Sequence, residues 1–255
     1  MNAALTPPPP EDAPSEPSSL TDRLTNVIAA PGEVFEDIKK GPVRACNWVV
    51  PLILACIATV VYINAAFSQP AILQSMQQQR EQAIQKKVAA GKMTQAQADQ
   101  NAAAAERFLT PTVMKVFMSG VVILTSVAGL FLMGTGIWLA LKCCTGARLD
   151  YMKVIEICGL ALVIDVPQKL LRTGLVSWKA NLLATASPTL FLANPSTTDK
   201  GDVFLSMIDA GDIWWLAILS LGVSKVASIR YRTAAFISFG LWYGFRVIAA
   251  LLTPS

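Results

Sequence analysis

Asp165, Lys169 and Arg172 are the residues in this 255-residue chain whose types and spacing best suit chemistry. Lys169 and Arg172 follow Asp165 by four and seven positions, so all three share one face of a helix within an otherwise apolar run. A carboxylate deep in a bilayer costs at least ~2.5 kcal/mol, so Asp165 needs a partner, and a continuing helix supplies Lys169. Pro167 lies between them and bends a helix at that point. Two readings follow. One is a proton- or ion-binding carboxylate at a broken helix, as transporters use; the other is a self-neutralised pair inside a bundle.

Other chemistries are poorly served. Histidine is absent, which removes the commonest general base, pH switch and zinc ligand. Cys46, Cys56, Cys143, Cys144 and Cys158 show no CxxC spacing, and the adjacent pair suits neither an ordinary disulfide nor a zinc site. All are expected to be reduced structural residues, with Cys143 and Cys144 the redox candidates. No Walker-type glycine loop, GxSxG or HExxH is present. The expectation is a protein that is not an enzyme and holds no cofactor or metal.

Membrane helices must position the polar triplet. Hydrophobic residues make up 53% of the chain, and its mean hydropathy is +0.48. A bilayer core of about 30 Å takes about 20 apolar residues as a helix. Five runs approach that length: Trp48–Phe67, Val116–Leu141, Val154–Val176, Ile213–Ile229 and Thr233–Leu252. The third must absorb Pro167, Gln168, Lys169 and Arg172. The expected fold is all-α: a polytopic membrane protein with a bundle of five transmembrane helices.

The net charge of +4 is a topology signal, not a nucleic-acid footprint, because the basic residues flank the apolar runs. Lys39, Lys40 and Arg44, then Lys142, Arg148 and Lys153, then Lys225, Arg230 and Arg232 all fall on the cytoplasmic side if the N-terminus is inside. Five crossings then put the C-terminus outside the cell membrane. Ser177 to Asp212 faces out and carries Asp199, Asp202, Asp209 and Asp212. The connector from Ser68 to Lys115 is an exception, since its basic residues lie on the outer side. No signal peptide is recognised, so the first run is expected to act as an uncleaved anchor.

Three regions emerge: a Pro-rich tail over 1–19, amphipathic helices over 20–47, and a transmembrane domain over 48–255 with an insert over 68–115. In the second region Leu20, Leu24, Val27 and Ile28 share a face, with Ser19 as cap. Pro31-Gly32 breaks the helix, and Val34, Phe35 and Ile38 form another apolar face ending at Lys39 and Lys40. Such pieces suit the cytoplasmic lipid interface, or a docking surface for a soluble protein. In the insert, a polar helix from Pro70 to Ala90 ends at Gly91, and Thr94 with Gln97 opens another toward Leu109. A helical hairpin outside the membrane is expected there, as a solvated spacer or a partner-binding stub.

Packing signals lie in the last two runs. Gly240 and Gly244 form a GxxxG pair, and Ser220, Ser224 and Ser228 form a small polar ridge; these two helices are expected to pack on each other. Gly136 and Ala140 give the second run a weaker small-residue face. Packing within the chain is the simpler use of these motifs, with a homo-oligomer as the alternative. Glu156 is expected to snorkel, and Arg246 to reach the interface or pair with an acid. Trp48, Trp178, Trp214, Trp215 and Tyr231 read as interfacial anchors.

The stretch Leu20-Thr-Asp-Arg-Leu-Thr-Asn-Val-Ile-Ala-Ala-Pro31-Gly-Glu-Val-Phe35-Glu-Asp-Ile-Lys39 resembles the leader helix and Pro-x-x-x-Phe pattern of the Ypt-interacting protein (Yip) domain family. Ile208-Asp-Ala-Gly-Asp-Ile-Trp214-Trp-Leu-Ala-Ile-Leu-Ser-Leu-Gly222 resembles the opening of that family's fourth helix. The Gly-Lys-Met-Thr-Gln-Ala-Gln run over 91–97 is similar to a helical insert of bacterial members. The resemblance covers roughly residues 20–252 and implies five helices, N-terminus in and C-terminus out. Eukaryotic relatives serve membrane traffic and contact Rab-type GTPases, but their Asp-Leu-Tyr-Gly-Pro-type motif has no counterpart here. The resemblance carries no catalytic residues. The leading functional expectation is a scaffold or organiser using Leu20 to Lys40 toward lipid or protein; the alternative is a solute or ion transporter built on Asp165, Lys169 and Arg172.

Overall fold

The computed structural model describes residues 18–108, 110–193, 195 and 199–252; residues 1–17 of the tail expected over 1–19, and Leu109, lie outside them. All regular structure among the described residues is helical. Helices α1 (Leu20–Ala29) and α2 (Pro31–Lys40) precede α3 (Cys46–Ala66), the polar pair α4 (Pro70–Ala89) and α5 (Gln95–Phe108), and α6 (Pro111–Ala140). Then come α7 (Tyr151–Ala161), α8 (Asp165–Lys179), the short α9 (Lys200–Ser206), α10 (Ala210–Ala227) and α11 (Tyr231–Leu252).

Helix ends form where local chemistry directs. Ser19 Oγ accepts from Asp22 N at 3.1 Å while the Asp22 carboxylate accepts from Ser19 N at 3.2 Å. Thr94 and Gln97 make the same reciprocal pair, and Gly91 takes the left-handed conformation at φ 67° that ends α4. Arg80 on α4 donates to the carbonyls of Asn101 and Ala102 on α5.

Among the described residues, four segments are long and apolar enough to cross a membrane: Cys46–Ala66, Pro111–Thr145, Ala210–Ala227 and Tyr231–Leu251. The third expected run does not join them as one helix. A 3-10 turn at Leu162–Ile164 divides it into α7 and α8. Pro167 explains the division, since it has no N–H for the Val163 carbonyl and its ring crowds that turn.

α7 is the centre of the bundle, buried continuously from Lys153 to Ala161 and enclosed by α3, α6 and α10. Glycines permit this close packing. A Cβ at Gly159 would collide with Trp48 of α3, and one at Gly134 of α6 would collide with Ile155 of α7. One at Gly222 of α10 would lie 2.7 Å from both Phe35 Cε1 and Ile157 Cγ2.

Several expectations are corrected. Val27 and Phe35 have no exposed surface and belong to the main core, so the apolar face of α1 and α2 packs on the bundle instead of presenting itself to lipid. Leu20 and Leu24 are half-buried; Lys39 and Lys40 are exposed. Helices α10 and α11 do pack together, but not through GxxxG: nothing lies within 4 Å of a Cβ at Gly240 or Gly244. Buried Ala234 and Ile237 of α11 are core residues instead. Ser220 and Ser224 bond to carbonyls of their own chain segment, at Leu216 and Ile229, and exposed Ser228 ends α10 in a left-handed conformation. Trp215 is not an edge anchor but is buried beside Trp242, with ring centroids 4.9 Å apart.

Glu156 does not snorkel. It is 1% exposed and accepts from Lys153 Nζ at 2.9 Å, Asn47 Nδ2 at 2.6 Å and Arg44 N at 3.2 Å. Lys153 also donates to the Gly41 carbonyl at 2.9 Å, which ties α7 to the link between α2 and α3. A second clasp joins α1 to α2: Arg23, 4% exposed, meets Asp37 at 2.8 Å, and Ser18 Oγ donates to the same carboxylate at 2.7 Å.

Two outcomes follow. Gly159→Leu or Gly134→Leu should lower unfolding stability in detergent by at least about 1–3 kcal/mol through overpacking, while Gly240→Leu and Gly244→Leu leave the thermal midpoint unchanged; equal losses at all four positions would contradict this packing. Burial pushes Asp37 up, but the Ser18 hydroxyl and the Arg23 guanidinium outweigh it and hold the carboxyl below its ordinary 3.8. The stability this clasp contributes is therefore complete above that ordinary value and is lost as pH falls through the lower folded value. Hydrogen exchange in α1 should speed up only under such acid conditions, and Asp37→Asn should show fast exchange already at neutral pH.

Candidate functional site

A cavity of about 480 Å³ opens where α8 leaves the central helix. Its walls come from α3 (Leu52, Ala55), α6 (Thr125, Ser126, Gly129, Leu130, Met133) and α11 (Trp242, Phe245, Arg246), with α8, α10 and the 183–185 segment closing it. Each of the three sequence-predicted residues, Asp165, Lys169 and Arg172, lines it. Asp209, Asp212 and Arg246 join them, so three carboxylates face the same space as three cations.

Helical register delivers these groups. Lys169 Nζ lies 3.3 Å from Asp165 Oδ1, the i,i+4 pair on α8, with about a fifth of each side chain exposed. Asp165 is therefore paired with Lys169, and the pair lines the cavity. Gln168, one residue earlier, donates to Asp212 at 3.1 Å and to Asp209 at 3.4 Å. Gly211 permits that approach, because a Cβ there would collide with the Gln168 carboxamide. Asp209 also caps α10 by accepting from Gly211 N at 2.8 Å.

Arg246 forms an ion pair with Asp212 across the α10–α11 interface and stacks over Trp242, 5.4 Å from the ring centroid. Arg172 is placed differently. Its guanidinium lies over Tyr62 at 5.1 Å and donates to the Leu182 carbonyl at 3.4 Å, and it forms no ion pair within 4 Å among the described residues. Arg172 Nε, Trp215 Nε1 and Trp242 Nε1 are buried without a hydrogen-bond partner.

The other sequence-predicted sites stay apart. Gly240 and Gly244 face outward, Ser220 is in the core, and Leu20, Leu24, Val27, Phe35, Lys39 and Lys40 belong to α1 and α2, none of them on the cavity wall. Sequence reasoning counted Asp209 and Asp212 as connector charges and passed over Trp242 and Ser126. The signal for Asp212 was available: Arg246, inside an apolar helix, demands an acid, and Asp212 opens the helix before it. No group of three or more Cys, Asp or Glu side chains among the described residues has the spacing to hold a metal ion. Comparison of the chain with protein-family models, curated proteins and solved structures finds no match.

The arrangement can bind and orient a polar solute through fixed charges. Asp212→Asn or Arg246→Gln should each destabilise the protein by about 1–3 kcal/mol, because the survivor keeps a half-buried charge. The double variant should lose clearly less than the sum. Additive losses in thermal unfolding would show that the two side chains do not interact.

Proposed function

We propose that this chain is a multi-pass membrane protein that takes a small polar solute from water into the cavity around Asp165 and carries it, without chemical conversion. The carrying observation is the cavity itself: six charged side chains gathered on one space among apolar helices. Charges are costly there, so a bundle needing only stability gains little from collecting them. The break at Pro167 supports the same reading, since interrupted helices place polar groups within a membrane bundle.

The four apolar segments suit a membrane location. We read α7 and α8 together as a fifth crossing, because 29 residues at about 1.5 Å each exceed a core of about 30 Å. The Yip-domain resemblance agrees with five helices, an inner N-terminus and an outer C-terminus, with α4 and α5 as a hairpin outside the bilayer. The scaffold reading retains exposed Lys39 and Lys40 but loses its apolar docking face, because Val27 and Phe35 are occupied by the bundle.

Vesicles carrying the full chain, with Cys46, Cys143 and Cys144 changed to Ser, provide the test. Ser126→Cys should react with a charged methanethiosulfonate, whereas Leu124→Cys, 70% exposed on the outer face of α6, should be shielded by lipid. Labelling of both would remove the membrane reading, and labelling of neither would remove the water-accessible cavity. Flux of a panel of small ions through reconstituted vesicles should disappear in Asp165→Asn; no flux of any of them would sink the carrier role.

A further inference from the structure

Where α6 and α11 part, the cavity reaches the outer surface of the bundle. The two helices meet at Gly136, where a Cβ would lie 3.2 Å from Leu241 Cδ1. Past that contact they separate: no α6 residue from Pro111 to Gly129 is buried, and no α11 residue from Phe239 to Leu251 is. A Cβ at Gly129 would find nothing within 4 Å. Thr125 and Gly129 of α6 and Phe245 of α11 nevertheless line the cavity while they are exposed, Phe245 at 66%. Residues that are both exposed and on the wall mark a mouth between the two helices.

The depth of that mouth decides what meets it. Gly129 lies midway along the apolar segment Pro111–Thr145, and Phe245 falls within the apolar segment Tyr231–Leu251. In a bilayer such an opening faces hydrocarbon. The cavity wall is apolar at Leu52, Leu130 and Met133, and the charged groups of α8, α10 and α11 line the same space. Three carboxylates there balance three cations, so a head bringing net charge of either sign would stay unmatched where charge is expensive.

We infer that the cavity admits a single-chain amphiphile sideways from the bilayer, through the gap between α6 and α11, with a polar head of no net charge among the ion pairs and its tail along Leu52, Leu130 and Phe245. This rests on the reading of the cavity as a solute site and names the solute's class and a second way in. A tail in the gap fills space that no side chain occupies, and between helices in lipid that gain is one of packing. A zwitterionic head sets its own paired charges against those of the wall and leaves the balance unchanged. A cavity of about 480 Å³ is sized for one such molecule.

The full chain in phosphatidylcholine vesicles is irradiated with trace dodecyl probes that carry a terminal diazirine and a phosphocholine, sulfonate or trimethylammonium head. Insertion is mapped by mass spectrometry relative to Leu124, 70% exposed on the outer face of α6. Leu52 and Leu130 are 7% and 4% exposed, so lipid outside the bundle does not reach them. The phosphocholine probe should insert at these two at least about tenfold more than either charged probe. Gly129→Trp should fill the gap and abolish that inner insertion, with labelling at Leu124 and the thermal midpoint unchanged. Gly120→Trp, in open space away from the cavity wall, should have no effect. Insertion confined to the outer face, equal inner insertion by all three heads, or inner insertion that survives Gly129→Trp overturns the inference. If Ser126→Cys still reacts with the charged methanethiosulfonate, the solute cavity stands and only the amphiphile is lost; loss of that reaction removes the cavity reading itself.

Discussion

The Glu156 carboxylate, shut away midway along the central helix, anchors much of what surrounds it. A bare carboxylate in such surroundings carries a desolvation cost of several kcal/mol, so it persists only when its oxygens are answered. Lys153, Asn47 and the Arg44 amide answer them, and those donors come from α7, α3 and the link before α3. Lys153 reaches on to the Gly41 carbonyl. The network therefore pins the chain between α2 and α3 against α7, and α2 can then place Phe35 against Gly222 of α10. Polar satisfaction at Glu156 and glycine-permitted contact along α7 act together: the first fixes register, the second depth.

What α7 does at one end, α8 undoes at the other. The turn at Leu162–Ile164 halts the buried apolar helix, and the next helix turns Asp165, Gln168, Lys169 and Arg172 toward one space. A continuous helix without Pro167 would have kept its backbone bonds; the broken one brings these side chains to polar company. Asp209 and Asp212 at the start of α10 and Arg246 on α11 supply it. Sheltered packing around α7 thus holds a polar junction between three helices.

How far this was legible in the sequence depended on whether the cause was local. Caps at Ser19, Thr94 and Gly91 depend on neighbours within a few residues, and the Asp165–Lys169 contact depends only on helical spacing. The need of Arg246 for an acid was legible as well, from the cost of a charge in an apolar helix. Partner choice was not. An apolar face such as Val27 with Phe35 looks the same whether lipid or protein will cover it, and here protein does. GxxxG spacing shows that two glycines share a face, not which way that face turns; Gly240 and Gly244 turn outward, while isolated Gly134, Gly159 and Gly222 make the close contacts. Trp214 and Trp215 are one residue apart, hence about 100° apart on the helix, and only Trp215 is buried. The cavity requires residues from α3, α6, α8, α10 and α11 to converge, which no window of sequence displays.

Three ion pairs in this bundle have the same chemistry and different surroundings. Lys153 and Glu156 are 9% and 1% exposed, Lys169 and Asp165 20% and 23%, Arg246 and Asp212 29% and 15%. The first is closed off, so its oxygens and protons are used up in holding helices together. The other two border the cavity and keep part of their surface exposed. Arg172 completes the series as the cation on that wall with no carboxylate within 4 Å among the described residues, held instead over Tyr62 and at the Leu182 carbonyl. Charge balance across the wall lets the protein tolerate three acids and three bases there. A wall arranged in this way sets Asp165 and Asp212 each against a cation, and the pairs bear the cost of burying charge.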